Sequence, residues 1–336
     1  MAVISFGAMT SHGPTLSTPP ENWTDRVAVD RQRNHHYKGE TLSFDELVHR
    51  RAGTGLEQQI ELASRREKSD ACHRAIDTLA DRFEAAKPDI AIIFGNDQRE
   101  LFLEDVTPSL TLFTGDTVWD RPATPDQASR MPPGIHLSEM GHSPPEYREY
   151  PAHPDLALHL VDAVRKAGFD PAVSKRLPEP PGHWSSGAPH ALGFVYRQIM
   201  RDRVIPHVPI ILNTFFPPNQ PSAARCFALG QAIRRAIASW AGEERIAVIG
   251  SGGMSHFVID EQLDEQIVGA IIGRDGAALT AIDEALLQSG TSELKTWIAA
   301  AGCLFETDLT PELVDYQTCY RSLAGSGTAN GFMSWN

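Results

Sequence analysis

Five short apolar runs, separated by stretches of helical periodicity, restrict the fold of this chain more than any other feature of its sequence. Each run has five to seven residues and is rich in Ile, Val, Leu, Phe and Ala, as in strands buried on both faces of a sheet. The runs are 3–8, 90–95, 110–114, 208–214 and 245–250. Because strands that alternate with helices form α/β folds, we expect a single domain, 1–336, with a central mixed β-sheet flanked by helices.

Helical periodicity occupies much of the remaining chain. Helices are predicted at 56–86, 153–167, 190–201, 222–241, 264–288 (with a break near Gly273), 292–301 and 311–323. Two stretches, 18–55 and 119–154, lack such a period, and we expect them to be long loops. Both contain Trp and Tyr residues that can pack, so they are expected to be lids or walls of an active site rather than interdomain linkers.

The charge balance and the apolar runs exclude two classes of partner. The 30 Lys and Arg residues against 43 Asp and Glu give a formal net charge of −13, whereas binding to nucleic acid requires a basic face. No apolar run approaches the roughly 18 residues that cross a bilayer. The N-terminal residues lack the pattern of a secretory signal, so we expect a cytoplasmic protein that acts on a small molecule. The four widely spaced cysteines are expected to be reduced thiols.

Two histidines follow predicted strands at their carboxyl ends, where α/β sheets place their chemistry. The strand 245–250 continues into SGGMSH at 251–256, which ends in His256. Its paired glycines allow a sharp turn and a close approach of the backbone to a ligand. The strand 3–8 leads into His12 in the same way. An exposed histidine on a turn is the alternative for each, but the two loops together predict one site.

A third polar turn and a carboxylate complete the candidate site. The turn NDQ at 96–98 follows the strand 90–95, and Glu293 opens a short predicted helix. On its own, Glu293 is explained as an acidic residue that complements the helix dipole. With His12, a polar side chain from the turn and a free His256, it fits a metal centre of two histidines and one carboxylate with a base beside it. Such a set lets a substrate and dioxygen bind Fe(II) side by side.

Several segments of the sequence resemble the class III extradiol ring-cleavage dioxygenases, the family represented by the catalytic subunit of protocatechuate 4,5-dioxygenase. The similarity runs in order along essentially the whole chain. It is carried by Ser11-His12, Asn96-Asp97, Pro189-His190-Ala191, the stretch 208–217 with RCFALG at 225–230, and SGGMSH at 251–256. The last of these motifs is the most specific.

The resemblance implies an Fe(II) cofactor and an enzyme that inserts both atoms of O2 beside the two hydroxyls of a catechol, giving a semialdehyde. Carried over by position, His12 and Glu293 would be iron ligands. His256 would be the acid and base that assists deprotonation of the catechol, and His190 matches a histidine that contacts the substrate. The expected partners are a small aromatic diol and O2, and the chain is expected to form a homo-oligomer.

One position departs from the family pattern. Where the family has Asn-Asp-His, with the histidine as second iron ligand, this sequence has Gln98 after Asn96 and Asp97. Three explanations are open: Gln98 binds the iron through its amide oxygen, a histidine from 18–55 or 136–153 replaces it, or the site holds another metal or none.

The substitution also keeps two other functions open. One is a catalytically silent subunit that supports an active paralogue, although retention of His12, His256 and Glu293 argues against it. The other is a metal-dependent enzyme of different chemistry on the same scaffold, because a fold does not determine a function. Two local questions are also open. Arg99 either meets an anionic group of the substrate or forms a surface ion pair, and 325–332 is either a loop that closes over the pocket or a flexible tail.

Overall fold

A nine-stranded mixed sheet forms the centre of the protein in the computed structural model, which describes residues 2–132, 134–180 and 182–336. The strands in chain order are β1 (Val3–Thr10), β2 (Asn34–Tyr37), β3 (Glu40–Ser43), β4 (Ile90–Asn96), β5 (Leu110–Phe113), β6 (Thr117–Asp120), β7 (Arg148–Pro151), β8 (Ala172–Ser174), β9 (His207–Leu212), β10 (Arg245–Ser251), β11 (His256–Val258), β12 (Pro311–Tyr320) and β13 (Ser326–Trp335). The sheet has the order β11-β13-β1-β10-β4-β9-β5-β8, with β12 paired to β13. The pairs β2–β3 and β6–β7 are separate hairpins.

The middle of the sheet consists of the strands that the apolar runs predict. β1, β10, β4 and β9 are parallel neighbours, and β5 runs antiparallel to β9. Every residue of β4, β5 and β9 is buried, as expected of strands that are covered on both faces. The predicted α/β class with a central mixed sheet is confirmed, and the five predicted strands end within one or two residues of the observed bounds.

Helices cover both faces of the sheet. They are α1 (Val27–Asp30), α2 (Phe44–Arg50), α3 (Leu56–Gln59), α4 (Leu62–Ala86), α5 (Pro125–Arg130), α6 (Pro154–Lys166), α7 (His190–Phe194), α8 (Ala223–Ser239), α9 (Glu261–Ile272), α10 (Gly276–Thr280) and α11 (Leu294–Leu304). A turn of π-helix, Val195–Ile199, extends α7. The break predicted near Gly273 separates α9 from α10, but α10 ends at Thr280 rather than at 288. Within the described residues, none of these helices has the length and apolar character to cross a membrane.

Successive side chains of the central strands face two separate cores, because side chains alternate across a sheet. On β4, Ile92 belongs to the core that contains Ile298 of α11, whereas Ile93 belongs to the core that contains Leu79 of α4. Burial of each such aliphatic side chain contributes roughly 1.5–3 kcal/mol. The sheet therefore holds α11, which directly follows Glu293, firmly on one face.

The helix predicted at 311–323 and the loop or tail predicted at 325–332 are both wrong. These residues form the antiparallel strands β12 and β13. Proline and glutamate at 311 and 312 suggested the start of a helix, but β-branched and aromatic residues recur at every second position, which favours a strand. They are Val314, Tyr316, Thr318 and Tyr320. β13 is rich in small residues and is buried throughout; it pairs with β12 along one edge and with β1 and β11 along the other.

The two stretches that were expected to be irregular loops contain regular elements. In 18–55, a 3-10 helix (Pro20–Arg26) and α1 precede the β2–β3 hairpin, and α2 begins with a capping box at Ser43. In 119–154, α5 and a 3-10 helix (His136–Gly141) precede β7. These elements are too short to show a clear hydrophobic period, which is why the sequence did not predict them.

Candidate metal centre

The parallel strands bring the predicted site residues to one edge of the sheet. Their register aligns the carboxyl ends of β1, β4 and β10. His12 and Gln98 follow the first two of these strands, and His256 opens β11 after the turn that follows the third. Glu293 ends a 3-10 helix directly before α11, and His190 is the first residue of α7. All five side chains line one cavity.

The buried carboxylate of Glu293 is the centre of this group. Its Oε2 lies 3.1 Å from Nε2 of His12 and 3.6 Å from Nε2 of His256. Its Oε1 accepts hydrogen bonds from the amide groups of Asn96 at 3.2 Å and Gln98 at 2.5 Å. Burial would raise the pKa of Glu293, but the charges and hydrogen bonds of His256 and His12 hold it well below its ordinary value. The carboxylate is therefore ionised at neutral pH.

The hydrogen bonds behind His12 and His256 determine which ring nitrogen carries the proton. Ser251 Oγ donates to a backbone carbonyl at 2.6 Å, so Nδ1 of His12, 3.0 Å away, must donate to that oxygen. Nδ1 of His256 donates to the carbonyl oxygen of Met254 at 2.7 Å. In the neutral rings both Nε2 atoms then present lone pairs to Glu293. Such an arrangement is favourable only with a cation between the groups, either a proton or a metal ion.

Two glycines make room for the ring of His256. A Cβ atom on Gly253 would collide with one edge of the imidazole, and a Cβ atom on Gly290 would collide with the other. The neighbouring Ser255 is anchored on the buried Asp264, to which its N–H and Oγ donate at 2.8 and 2.6 Å. The close approach that the glycines of SGGMSH permit is therefore an approach to the histidine of the same motif.

His190 is held by a second buried carboxylate. Glu100 accepts one hydrogen bond from Nδ1 of His190 at 2.7 Å and another from its backbone N–H at 2.9 Å. Burial would lower the pKa of His190, but the charge of Glu100 and this hydrogen bond raise it to about 9. The ring lies edge-on to that of His12, with 4.5 Å between centroids. One ligand atom each from His12, His190 and Glu293 lie within 4.8 Å of one another, close enough to share a metal ion.

The cavity beside these groups has a volume of about 270 Å³, and aromatic side chains form part of its wall. The aromatic side chains that line it are Trp23, Trp184, Phe194, Phe215 and Phe257. Part of the wall comes from the stretches 18–55 and 119–154. The cavity therefore offers flat apolar surfaces for a ring next to a cluster of nitrogen and oxygen donors.

One known protein family matches most of the chain. The family described as the catalytic LigB subunit of aromatic ring-opening dioxygenase matches residues 63–328. The protein belongs to this family. The resemblance to class III extradiol dioxygenases is thereby confirmed.

Curated relatives of this LigB-family protein match about half of the chain. A 2,3-dihydroxyphenylpropionate/2,3-dihydroxicinnamic acid 1,2-dioxygenase of Paraburkholderia phymatum is 30% identical over 176 residues, which are 52% of this chain and 45% of that protein. A protein of the same name from Burkholderia vietnamiensis is 31% identical over 176 residues, with the same coverage. A gallate dioxygenase of Pseudomonas putida is 26% identical over 126 residues, 38% of this chain and 35% of that protein. The matches thus span less than half the length of these relatives.

Gln98, at the position where the resemblance implies a histidine, faces Glu293 with its amide nitrogen. A rotation of the amide by 180° would place its oxygen, a potential ligand, there instead. Asp97 builds the turn, because its carboxylate accepts backbone hydrogen bonds from residues 100–102 at 2.9–3.1 Å. Burial and the charge of Glu100 raise the pKa of Asp97 to about 6. Asp97 therefore presents Gln98 and Glu100 to the cavity without itself entering the site.

The histidines of the two inserted stretches differ in their distance from the site. His35 is buried against a backbone carbonyl and His36 is exposed on the β2–β3 hairpin; neither belongs to the described lining of the cavity. His142 does line it, with its ring centroid 6.1 Å from that of His190. Burial, assisted by the charge of His190, lowers the pKa of His142 to about 4, so its ring is neutral at pH 7.

Glu100 is a site residue that the sequence does not predict, although it lies in the same polar turn as Gln98. Its partner His190 is 90 residues away, and no local pattern indicates that pairing. The one local signal for Glu100 is its place two positions after Gln98, a candidate metal ligand. The open question about Arg99 is answered by a surface ion pair with Glu104 at 2.9 Å, so Arg99 does not line the cavity.

Proposed function

We propose that this protein is a non-haem Fe(II)-dependent extradiol dioxygenase that cleaves the ring of a catechol-type substrate. Both atoms of O2 enter the product, which is a semialdehyde. Membership of the LigB family supports this activity, as do relatives that are named as dioxygenases of 2,3-dihydroxyphenylpropionate and of gallate.

The observation that carries the proposal is the set of lone pairs that converge on Glu293 beside an aromatic cavity. Nε2 of His12 and Nε2 of His256 both face the ionised carboxylate, and each is fixed from behind by a hydrogen bond. The imidazole nitrogen of His12 and the carboxylate oxygen of Glu293 are donors that suit ferrous iron, whereas Nε2 of His256 is left to take a proton. When bound there, Fe(II) would supply neighbouring open coordination positions for the two diol oxygens and for O2.

Two side chains are candidates for the third protein ligand, beside His12 and Glu293. The resemblance points to Gln98, because it implies a metal-binding histidine at that position. The geometry favours His190, because metal-bound histidines commonly donate their second N–H to a carboxylate, as His190 does to Glu100. We expect His190→Gln to release iron and Gln98→Ala to keep it. If Gln98→Ala releases iron and Gln98→His tightens it, Gln98 is the ligand and His190 contacts the substrate.

His256 would act as the acid and base of the reaction. Its Nδ1 is committed to the carbonyl of Met254, so Nε2 is the atom that can take a proton from a substrate hydroxyl and return it. Because Gly253 and Gly290 have no side chains, the ring fits between them with this nitrogen beside Glu293. The aromatic wall would orient the ring and exclude water from the reacting atoms.

The test is anaerobic reconstitution with Fe(II), followed by a colorimetric assay of bound iron and oxygen-electrode measurements with a panel of catechols. We expect stoichiometric iron and oxygen uptake that depends on the catechol. Stoichiometric iron without oxygen uptake on any catechol would favour a metal enzyme of other chemistry. Failure to bind iron would favour a silent subunit.

A matched pair of variants assigns the result to the site. His256→Gln is expected to keep the iron and lose oxygen uptake, whereas His36→Gln, the same substitution on the exposed hairpin, is expected to change neither. A cytoplasmic location and a homo-oligomeric state stay predictions of the sequence, to be checked by cell fractionation and light scattering.

A further inference from the structure

The short 3-10 helix Ser289–Glu293 contacts the candidate acid and base and also carries a candidate metal ligand. Its last residue is Glu293, and its glycine, Gly290, leaves room for the ring of His256. Between these two residues, Thr291 is buried with its hydroxyl against the backbone of His256. Thr291 is not among the described residues that line the cavity. It can therefore affect a ligand there only through its neighbours.

The hydroxyl of Thr291 makes two hydrogen bonds to the same residue. It accepts one from the backbone N–H of His256 at 3.2 Å and donates one to the backbone carbonyl of His256 at 2.9 Å. A threonine hydroxyl has one proton to donate and two lone pairs, so both bonds form at once. One side chain thus holds both polar backbone groups of His256.

The place of His256 in the sheet explains why it needs this partner. β13 is the one strand neighbour of β11 within the described chain. The carbonyl of Ser255 faces β13, where it accepts the N–H of Ala329 at 3.1 Å. Since the C=O and N–H groups of a trans peptide point in opposite directions, the N–H of His256 points away from β13. Thr291 therefore satisfies backbone groups for which β13 provides no partner.

The residue before His256 is held by a separate set of contacts. Asp264 of α9 accepts hydrogen bonds from the N–H and Oγ of Ser255 at 2.8 and 2.6 Å. The hydroxyl of Tyr316 donates to the same carboxylate at 2.7 Å. None of these three bonds involves Thr291. Removal of the Thr291 hydroxyl should therefore loosen the backbone of His256 and leave the turn before it in place.

We propose that Thr291 is a positioning residue, whose two backbone hydrogen bonds keep His256 at a fixed distance from Glu293. The 3-10 helix that carries Thr291 and Glu293 leads into α11, in which every residue is buried, so the base and the carboxylate share one rigid support. A displacement of about 1 Å can cost on the order of a hundredfold in rate. The inference rests on the proposed function for the role of His256.

The kinetic test uses two substitutions in the iron-loaded protein, with the catechol that gives the fastest oxygen uptake. Thr291→Val keeps the shape of the side chain without its hydroxyl, and it should lower kcat by about tenfold to a hundredfold. KM and bound iron should stay within about twofold, because Thr291 contacts neither the cavity nor the carboxylate of Glu293. Thr291→Ser keeps the hydroxyl and should keep kcat within about threefold of the native value.

Thr111→Val is the matched control. Thr111 is a buried threonine of β5, and its hydroxyl finds no hydrogen-bond partner among the described residues, so this variant should keep the native kcat. A native kcat in Thr291→Val would overturn the proposal, as would a serine variant as slow as the valine variant. Loss of iron in Thr291→Val would also overturn it, because Thr291 would then support Glu293 rather than His256.

Hydrogen exchange with residue resolution tests the same contact in the metal-free protein, without reliance on the reaction. The amide of His256 should be protected in the native protein and should exchange about tenfold faster or more in Thr291→Val. The amide of Ser255, which donates to Asp264, should stay protected in both proteins. If the valine variant does not fold, an unprotected His256 amide in the native protein would by itself overturn the proposal.

The two measurements together separate the inference from the proposed function. Faster exchange of the His256 amide in Thr291→Val, with no ring cleavage by the native protein on any catechol, would uphold the contact and refute the proposed function. Ring cleavage by the native protein, with neither kcat nor exchange altered in Thr291→Val, would uphold the function and refute the positioning role.

Discussion

The two sides of the cavity are built in different ways. One side stands on strand ends and helix starts, and buried hydrogen bonds fix its side chains from behind. This sheet-edge side consists of His12, His190, His256 and Glu293. The other side comes from short elements inserted between β1 and α3, and part of it is exposed. This insert side consists of Trp23, Arg26 and Arg33.

This difference in construction matches the precision that the proposed role of each side would require. Metal binding and proton transfer tolerate errors of only about 0.5 Å, so those groups belong on rigid elements. Recognition of a substituent tolerates more adjustment and is commonly carried by loops that vary without harm to the core. Substitutions on the sheet-edge side should therefore change metal binding and turnover, whereas substitutions on the insert side should change the choice of substrate.

The largest effect is expected for Glu293→Gln. The metal would lose its anionic ligand and the two facing imidazoles would lose their counter-charge, so iron affinity should fall by more than about a hundredfold. Competition with a chelator measures the change, and the melting temperature of the metal-free variant shows whether the fold survives. A variant that holds iron as tightly as the native protein would remove Glu293 from the centre.

A smaller effect is expected for Glu100→Gln, which keeps an acceptor for His190 but removes the charge. A change behind a metal-site histidine typically costs 10- to about 100-fold in metal affinity or activity. Glu104→Gln is the control, since this exposed carboxylate lies in the same segment and pairs with Arg99 on the surface. If Glu100→Gln and Glu104→Gln reduce iron affinity equally, the loss comes from disturbing the turn that carries both residues and not from removing the carboxylate behind His190.

The stability of the sheet that carries the sheet-edge side should depend on pH because of His207, the buried first residue of β9. The hydroxyl of Tyr196 donates to its Nε2 at 2.6 Å and its Nδ1 donates to the carbonyl of Ile205 at 3.2 Å, so the ring is neutral. Burial lowers the pKa of His207 to about 4. The unfolded chain takes up this proton near pH 6.5, so stability is full above pH 6.5 and falls as the pH drops toward 4.

At pH 5 the loss from His207 should be about 2 kcal/mol of unfolding free energy. Urea unfolding at pH 7.5 and 5.0, compared between the native protein and His207→Gln, isolates this contribution from that of other buried histidines. The variant should be less stable at pH 7.5 but less sensitive to acid. If the native protein and the variant lose the same unfolding free energy between pH 7.5 and 5.0, the assignment of this loss to His207 is wrong.

The smallest effect is expected away from the cavity, at the start of α2 in the inserted segment. Ser43→Ala removes the N-terminal cap of α2, where the serine side chain accepts from the backbone N–H of Glu46. This loss should cost about 1 kcal/mol. Iron retention should not change, because α2 contributes nothing to the described lining of the cavity. Loss of iron in this variant would show that the inserted segment and the metal centre are coupled.

The elements that the sequence predicts well are those in which the local pattern and the final packing agree. The five apolar runs read as strands because nearly every residue in them is buried, and burial needs no knowledge of the partner. The convergence of His12 and His256 follows from their places after such strands, since parallel neighbours end at one edge. That convergence was predictable without knowledge of any distance.

The features that the sequence does not predict depend on partners far along the chain. The glycines and small residues of β13 are typical of a loop, and no local pattern shows that neighbouring strands enclose them. The pairing of Glu100 with His190 spans 90 residues. The arginines at 26 and 33 lie in a polar stretch with no period, so the sequence does not show which of its charges face inward. In each case tertiary contact decides what local preference leaves open.

Because β13 pairs with both β1 and β11, assembly of the candidate site is expected to be a late event in folding. β11, which begins with His256, joins the sheet through β13, and β13 in turn pairs with β1 across a separation of more than 300 residues. Contacts this distant form slowly, because a long loop must close first. A chain in which β13 has not yet paired therefore lacks the strand that holds β11 and His256 beside the other site residues.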